Sequence, residues 1–185
     1  MRRLIWCILC FALASQSSFA QDVPGIEIGT RVGFNVAIKG SELLSVGIPG
    51  GSPNPLGVLG GGTSSVHVAF FPWSNIMVEP QVNLDVVHLS NGDSQTVTSA
   101  NISGQIVYLF GGSLSHSPYV GLSSSAIFID TGNTSEEDFA IGAALGYRFL
   151  VGEHLVLRPE SSYRYWIDFG VEEVSVALAF SVLLK

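Results

Sequence analysis

Polar and apolar residues alternate with a period of two along most of this chain, and helical spacing is nearly absent. From Ile26 to Lys39 one set of positions reads Ile26, Ile28, Thr30, Val32, Phe34, Val36 and Ile38. The other reads Glu27, Gly29, Arg31, Gly33, Asn35, Ala37 and Lys39. Alternate residues of a β-strand lie on opposite faces. The pattern therefore predicts one long strand with an apolar face and a polar or small one. Strands of soluble domains average about five or six residues, whereas a tilted strand that crosses a bilayer needs about nine to eleven. Similar stretches follow near 63–71, 76–87, 97–110, 119–129, 139–150, 155–165 and 174–184. The serines of the 119–129 stretch leave its facing open. The whole reads as eight strands.

Charge decides which face meets what. Arg31, Lys39, Arg148, Arg158 and Arg164 fall in phase with the polar face, as do Glu27, Glu79, Asp85 and Glu160. A charge on a lipid-facing wall near the midplane costs roughly 2–4 kcal/mol. Inside a narrow lumen the same charges can pair. The polar face is therefore predicted to be the interior, with Glu27, Arg31, Glu79, Asp85, Arg148, Arg158, Glu160 and Arg164 forming its charge network. A soluble sandwich would need the apolar face inward, and strands of this length oppose it. An open sheet is excluded in a bilayer because its edge amides would go unpaired. The expected fold is all-β, a single antiparallel up-and-down transmembrane β-barrel of eight strands.

The connections support this and give it direction. Short links at 72–75, 111–118 and 151–154 alternate with longer or more polar ones at 40–62, 89–96, 130–138 and 166–173. Barrels of this kind have short periplasmic turns and longer external loops, which places both termini in the periplasm. Trp73, Tyr108, Phe110, Tyr147 and Phe149 fall near the periplasmic end, and Tyr163, Tyr165 and Trp166 near the outer one. Two aromatic girdles are the expected result. Glu136, Glu137 and Asp138 form an acidic run in an external loop. It reads as a solvated loop, or as a place for divalent ions shared with lipopolysaccharide phosphates.

Composition adds the compartment. Mean hydropathy is +0.43 and only 12% of residues are charged, against about 25% in a soluble domain. Arg2 and Arg3, the apolar stretch 4–14 and the sequence Ser18-Phe19-Ala20 have the three parts of a secretory signal peptide. Residues 1–20 are expected to be removed, leaving 21–185 as an outer-membrane barrel domain. Both cysteines, Cys7 and Cys10, fall in the first part, which excludes a disulfide scaffold or a cysteine metal site in the remainder. Without Arg2 and Arg3, six basic residues face fifteen acidic ones, a net charge of −9, which argues against nucleic-acid binding. No two histidines have ligand spacing on one strand face, so neither metal nor other cofactor is expected.

The sequences Pro118-Tyr119-Val120-Gly121 and Gly142-Ala143-Ala144-Leu145-Gly146-Tyr147-Arg148-Phe149, with the alternating last strand, resemble the small eight-stranded outer-membrane barrels of the OmpA transmembrane-domain and OmpX type. The resemblance covers 26–185. It implies a cell outer-membrane location, a lumen filled by side chains, contact with outer-membrane lipids and lipopolysaccharide, and the barrel-insertion machinery as a partner in biogenesis. Members of this class end in an aromatic residue, whereas this chain ends Leu184-Lys185 with Phe180 the nearest aromatic. His88-Leu89-Ser90-Asn91 also resembles the His-x-Ser-Asn motif of the lipid A deacylase PagL. There the His is the base, the Ser the nucleophile, and a Glu on a neighbouring strand orients the His. Here the motif stands on the third strand, and the fourth offers Asn101, Ser103 and Gln105 with no carboxylate. The competing reading is a strand end running into an Asn-Gly turn. Three functions follow: a structural or surface-interaction role in the envelope, a lipid A ester hydrolase using Ser90 and His88, or a narrow channel for small solutes.

Overall fold

The computed structural model describes residues 25–47, 64–91, 93–110, 115–130 and 132–184, with side chains excepted over 43–47, 85–91 and 93–97. The expected signal peptide, 1–20, lies outside these residues. The strands are β1 (Ile26–Lys39), β2 (Glu42–Gly47), β3 (Ser64–Trp73), β4 (Ile76–Asn91), β5 (Asp93–Leu109), β6 (His116–Asp130), β7 (Ser135–Val151), β8 (Leu155–Trp166) and β9 (Val171–Leu184). All pairings are antiparallel between neighbours, and β1 pairs with β9 from Ile26–Leu184 to Ile38–Glu172. The sheet is thereby closed into an eight-stranded barrel. There are nine segments because β2 and β3 share one edge of β1. Asn35–Lys39 pairs with β2, and Glu27–Val32 pairs with β3.

Faces follow the predicted phase. Leu84, Leu122 and Leu145 project outward at 71%, 73% and 63% exposure, while Glu27, Glu79, Arg148 and Arg158 are at 0% inside. β6 also resolves: Val120, Leu122 and Phe128 face out, and Tyr119, Ser125 and Ile127 face in. An apolar exterior with ionic groups enclosed inverts the soluble pattern and fits a hydrocarbon surrounding.

Several connections expected to be loops are strand. Within 40–62, the chain reverses at Gly40, whose φ is 61°, and returns as β2. The link 89–96 is a regular ladder, in which Leu89 pairs with Gln95 and Asn91 with Asp93. Cross-strand hydrogen bonds use the backbone, so polar composition does not end a ladder. The acidic run belongs to β7, where Glu136 and Glu137 pair with Ile129 and Phe128. Trp166 faces the lumen and is 1% exposed. It is not part of the outer aromatic girdle, because Tyr165 before it points outward and the next residue must point inward.

The barrel is sheared. Paired positions lead from Gly29 through His67, Gln81, Ser103, Ser125, Ala140 and Trp166 to Val171. Val171 lies opposite Lys39, one place beyond the Ile38–Glu172 pair, so one circuit climbs ten residues along β1. This stagger sets which inward residues share a level.

Leu145→Arg is predicted to destabilise the folded barrel in liposomes by about 2–4 kcal/mol, measured by reversible urea unfolding. An unchanged midpoint would mean that the exterior meets water.

Candidate functional site: the barrel lumen

The lumen is stratified. At the end that holds both termini, Ala69, Phe71, Met77, Val107, Leu109 and Tyr119 form a buried apolar cluster. Arg148 ion-pairs with Glu27 beside it and lies 5.6 Å from the centroid of the Phe71 ring. Glu27 also accepts from Ser181 Oγ at 3.3 Å.

Above this cluster runs an ionic layer. Arg31 reaches Glu79 Oε1 and Glu160 Oε1, each at 3.0 Å. Arg158 pairs with the other oxygen of Glu79. Gln81 Nε2 donates to Glu79 at 2.8 Å and Tyr119 Oη to Glu160 at 2.9 Å. Gln105 Nε2 donates to Glu160 at 3.3 Å. His67 Nε2 lies 3.1 Å from Arg158 Nη2, and since an arginine can only donate, the imidazole accepts there. Two glycines make room for the long side chains. A Cβ at Gly121 would lie 2.5 Å from Gln105 Nε2, and one at Gly146 would lie 2.6 Å from the Tyr119 ring.

The next level is made of small residues. Once the ten-residue climb is taken into account, it receives Gly33 from β1 and Gly142 from β7. Ser65, Asn83 and Ser103 come from β3, β4 and β5, and Ser125, Ser162 and Ser175 from β6, β8 and β9. Ser162 and Ser175 hydrogen-bond at 2.6 Å. Higher still, Glu173 accepts from Trp166 Nε1 at 3.0 Å, and Arg164 lies 3.5 Å from it. Trp166 packs with Ala37, Ile127, Ala140 and Val171 as a second apolar cluster at the rim. Asp138 fastens the adjoining turn by accepting from the backbone amides of Asp168 at 2.9 Å and Phe169 at 3.0 Å.

No protein-family model matches this chain, and no curated protein matches it. Solved structures do. The chain is similar to Neisserial surface protein A, with a TM-score of 0.60 and 13% identity over 89% of this chain and 100% of that one. Ail, the attachment invasion locus protein of Yersinia pestis, matches with a TM-score of 0.51 and 12% identity, covering 89% and 100%. The outer membrane protein AlkL matches with a TM-score of 0.53 and 18% identity, covering 91% and 94%. The chain has the fold of the small outer-membrane β-barrels.

Within that barrel, the structure places Glu27, Arg31, Glu79, Arg148, Arg158, Glu160 and Arg164 in the lumen and pairs each with an opposite charge. Glu173 is the member that sequence reasoning assigned to a loop. With it, four buried glutamates balance four arginines. The side chain of Asp85 lies outside the described residues, as do those of His88 and Ser90. The β4–β5 register is unbroken from Ile76–Tyr108 to Asn91–Asp93. The cross-strand positions of His88 and Ser90 are Thr96 and Ser94. Among the described residues no group of His, Cys, Asp and Glu has the arrangement of a metal site.

Removing one partner of a buried ion pair strands the other, at a cost of about 3–5 kcal/mol. Glu27→Gln and Arg148→Met are each predicted to destabilise the barrel by that amount in liposome unfolding. The double variant is predicted to lose less than the two single losses together. Strict additivity would show that the pair does not act as a unit.

Proposed function

We propose that the protein is a non-conducting outer-membrane barrel that acts in the cell envelope through its rim hairpins, with the wall as anchor. The carrying observation is the ionic layer. Arg31, Glu79, Arg158 and Glu160 cross the lumen at 0–4% exposure, directly above an apolar cluster. A channel needs a continuous wet path, and these side chains occupy it. The apolar exterior and the fold support an outer-membrane location in contact with lipids and lipopolysaccharide. The basic and apolar start of the chain supports export, the barrel fold supports insertion by the barrel-assembly machinery, and the even strand count with short links at the end that holds the termini supports termini on the periplasmic side. The name of Neisserial surface protein A speaks of a surface and that of the attachment invasion locus protein of attachment, and a surface role fits an exposed rim. That rim carries Glu42, Asp130, Glu136, Glu137, Asp168 and Glu172 against Lys39. In planar bilayers the folded wild type is expected to give no stepwise current. A reproducible stepwise current would overturn this reading.

A second reading is lipid A ester hydrolysis by Ser90 and His88. It is favoured by the His-x-Ser-Asn sequence at the rim end of β4. Its base lacks a carboxylate at the paired β5 positions, Ser94, Thr96 and Thr98. The prediction is that mass spectrometry of lipid A finds no difference between cells expressing the wild type and Ser90→Ala. Loss of an acyl chain with the wild type alone would establish the hydrolase instead.

A further inference from the structure

We propose that one sector of the lipid-facing wall, on β5 to β8, is the interface of a two-fold dimer, and that its occupant is a second copy of this chain. This goes beyond the envelope role argued above, which rests on the lumen and the rim.

The first argument is shape. Two grooves run along the outside of this sector. The larger has a volume of about 650 Å³, with Tyr108, Val120, Leu145 and Tyr163 around the small outward residues Ala143 and Ser161. The smaller, of about 370 Å³, has Gly104 and Ser124 beside Val78. Ile106 and Leu122 line both. They are a cross-strand pair, 58% and 73% exposed, and form a ridge between the grooves. The ridge adjoins the larger groove through the Leu122–Ala143 pair. A two-fold axis along the membrane normal, between this ridge and this groove, sets each copy's ridge into the other's groove.

The second argument is chemistry. Ser124 and Ser161 stand mid-strand on the outward parity, each four residues before an outer aromatic, Phe128 or Tyr165. Neither hydroxyl has a hydrogen bond among the described residues. Thr30, an outward hydroxyl on the opposite wall, donates to the Ser65 carbonyl at 3.1 Å. An unmatched hydroxyl in hydrocarbon is costly. An acyl chain can fill a groove but can neither donate nor accept a hydrogen bond. A second wall does both, and membrane interfaces combine small residues, which let backbones approach, with serines, which bond across.

The third argument is placement. On the opposite wall, the outward positions of Ile26–Ile38 on β1, Val66–Phe70 on β3 and Val174–Leu184 on β9 include no glycine, alanine or serine. Large side chains such as Phe34, Val66, Val176 and Phe180 stand there instead. The small and unmatched polar positions are therefore gathered on one side of the barrel, as one contact face requires.

Charge permits the contact. No ionic group lines either groove, so two identical faces meet without repulsion. Asp130 and Glu137 lie on the same strands but at the rim, where water and salt screen them. The pair would present two rims from one anchored unit, which strengthens surface contacts by multivalency.

The test uses the full chain folded in liposomes, with Cys7 and Cys10 replaced by serine and Lys185→Cys labelled with donor or acceptor dye. Energy transfer between copies is followed as the protein-to-lipid ratio is raised. Saturable transfer above that of randomly placed barrels is expected. Ala143→Trp fills the larger groove and is expected to raise the ratio at half-maximal transfer roughly tenfold. Val32→Trp, on the opposite wall, is expected to change it by less than about twofold. Transfer no greater than random would overturn the dimer and leave the grooves to acyl chains. No effect of Ala143→Trp, or an equal or larger effect of Val32→Trp, would overturn this interface. If Ala143→Trp fails to fold, Ser124→Val combined with Ser161→Val decides. A weakening of roughly tenfold is expected there, and unchanged association would overturn the proposal.

Discussion

Pairing of β1 with β9 leaves β1 covered along that edge from Ile26 to Ile38, and this closure decides what every other residue meets. A backbone amide in hydrocarbon must be paired within the protein, and a closed sheet achieves that without helices. Closure also converts the period-two alternation into two environments. One parity faces a continuous apolar exterior. The other is confined to a lumen where a charge must find its partner among the facing strands.

The lumen meets that demand by matching opposite charges closely. Arg31, Arg148, Arg158 and Arg164 stand against Glu27, Glu79, Glu160 and Glu173. A buried pair gains little over an apolar replacement, but a missing partner is expensive. Such a network therefore specifies one arrangement of strands more than it adds stability. A one-residue slip of a strand would turn the charges that it carries toward the exterior. Glycines at 121 and 146 are part of the same device, since the space they leave is taken by Gln105 and Tyr119. The ionic layer thus fixes register and blocks the lumen with the same atoms.

Above that layer the character changes. Small polar residues give way to a rim closed on one side by Trp166 and its neighbours, with Asp138 holding the turn at 167–170. The β4–β5 ribbon continues past the first β3 residue, Ser64, and past the Thr98–Asp130 pair with β6. Filling, pairing and exposure therefore differ between the two ends. The proposed surface role of the rim and anchoring role of the wall rest on that division.

Local alternation alone determined much of this protein. It gave the strands, their faces, and the inward phase of Glu27, Arg31, Glu79, Arg148, Arg158, Glu160 and Arg164, because facing along a strand depends only on parity. It also contained the inward turn of Trp166, one place after Tyr165, although proximity to a girdle masked it. Glu173 and Asp138 were hidden by their acidic neighbours, which read as solvated loops until backbone pairing carried β7 and β9 through them. Only the tertiary structure decided who meets whom. Arg31 and Glu160 are 129 positions apart, and their contact depends on strand order, register and the ten-residue stagger. That stagger likewise gathers isolated glycines, serines and an asparagine from eight strands onto one level. A level of a barrel is a property of how strands are offset from one another, which no single stretch of sequence contains.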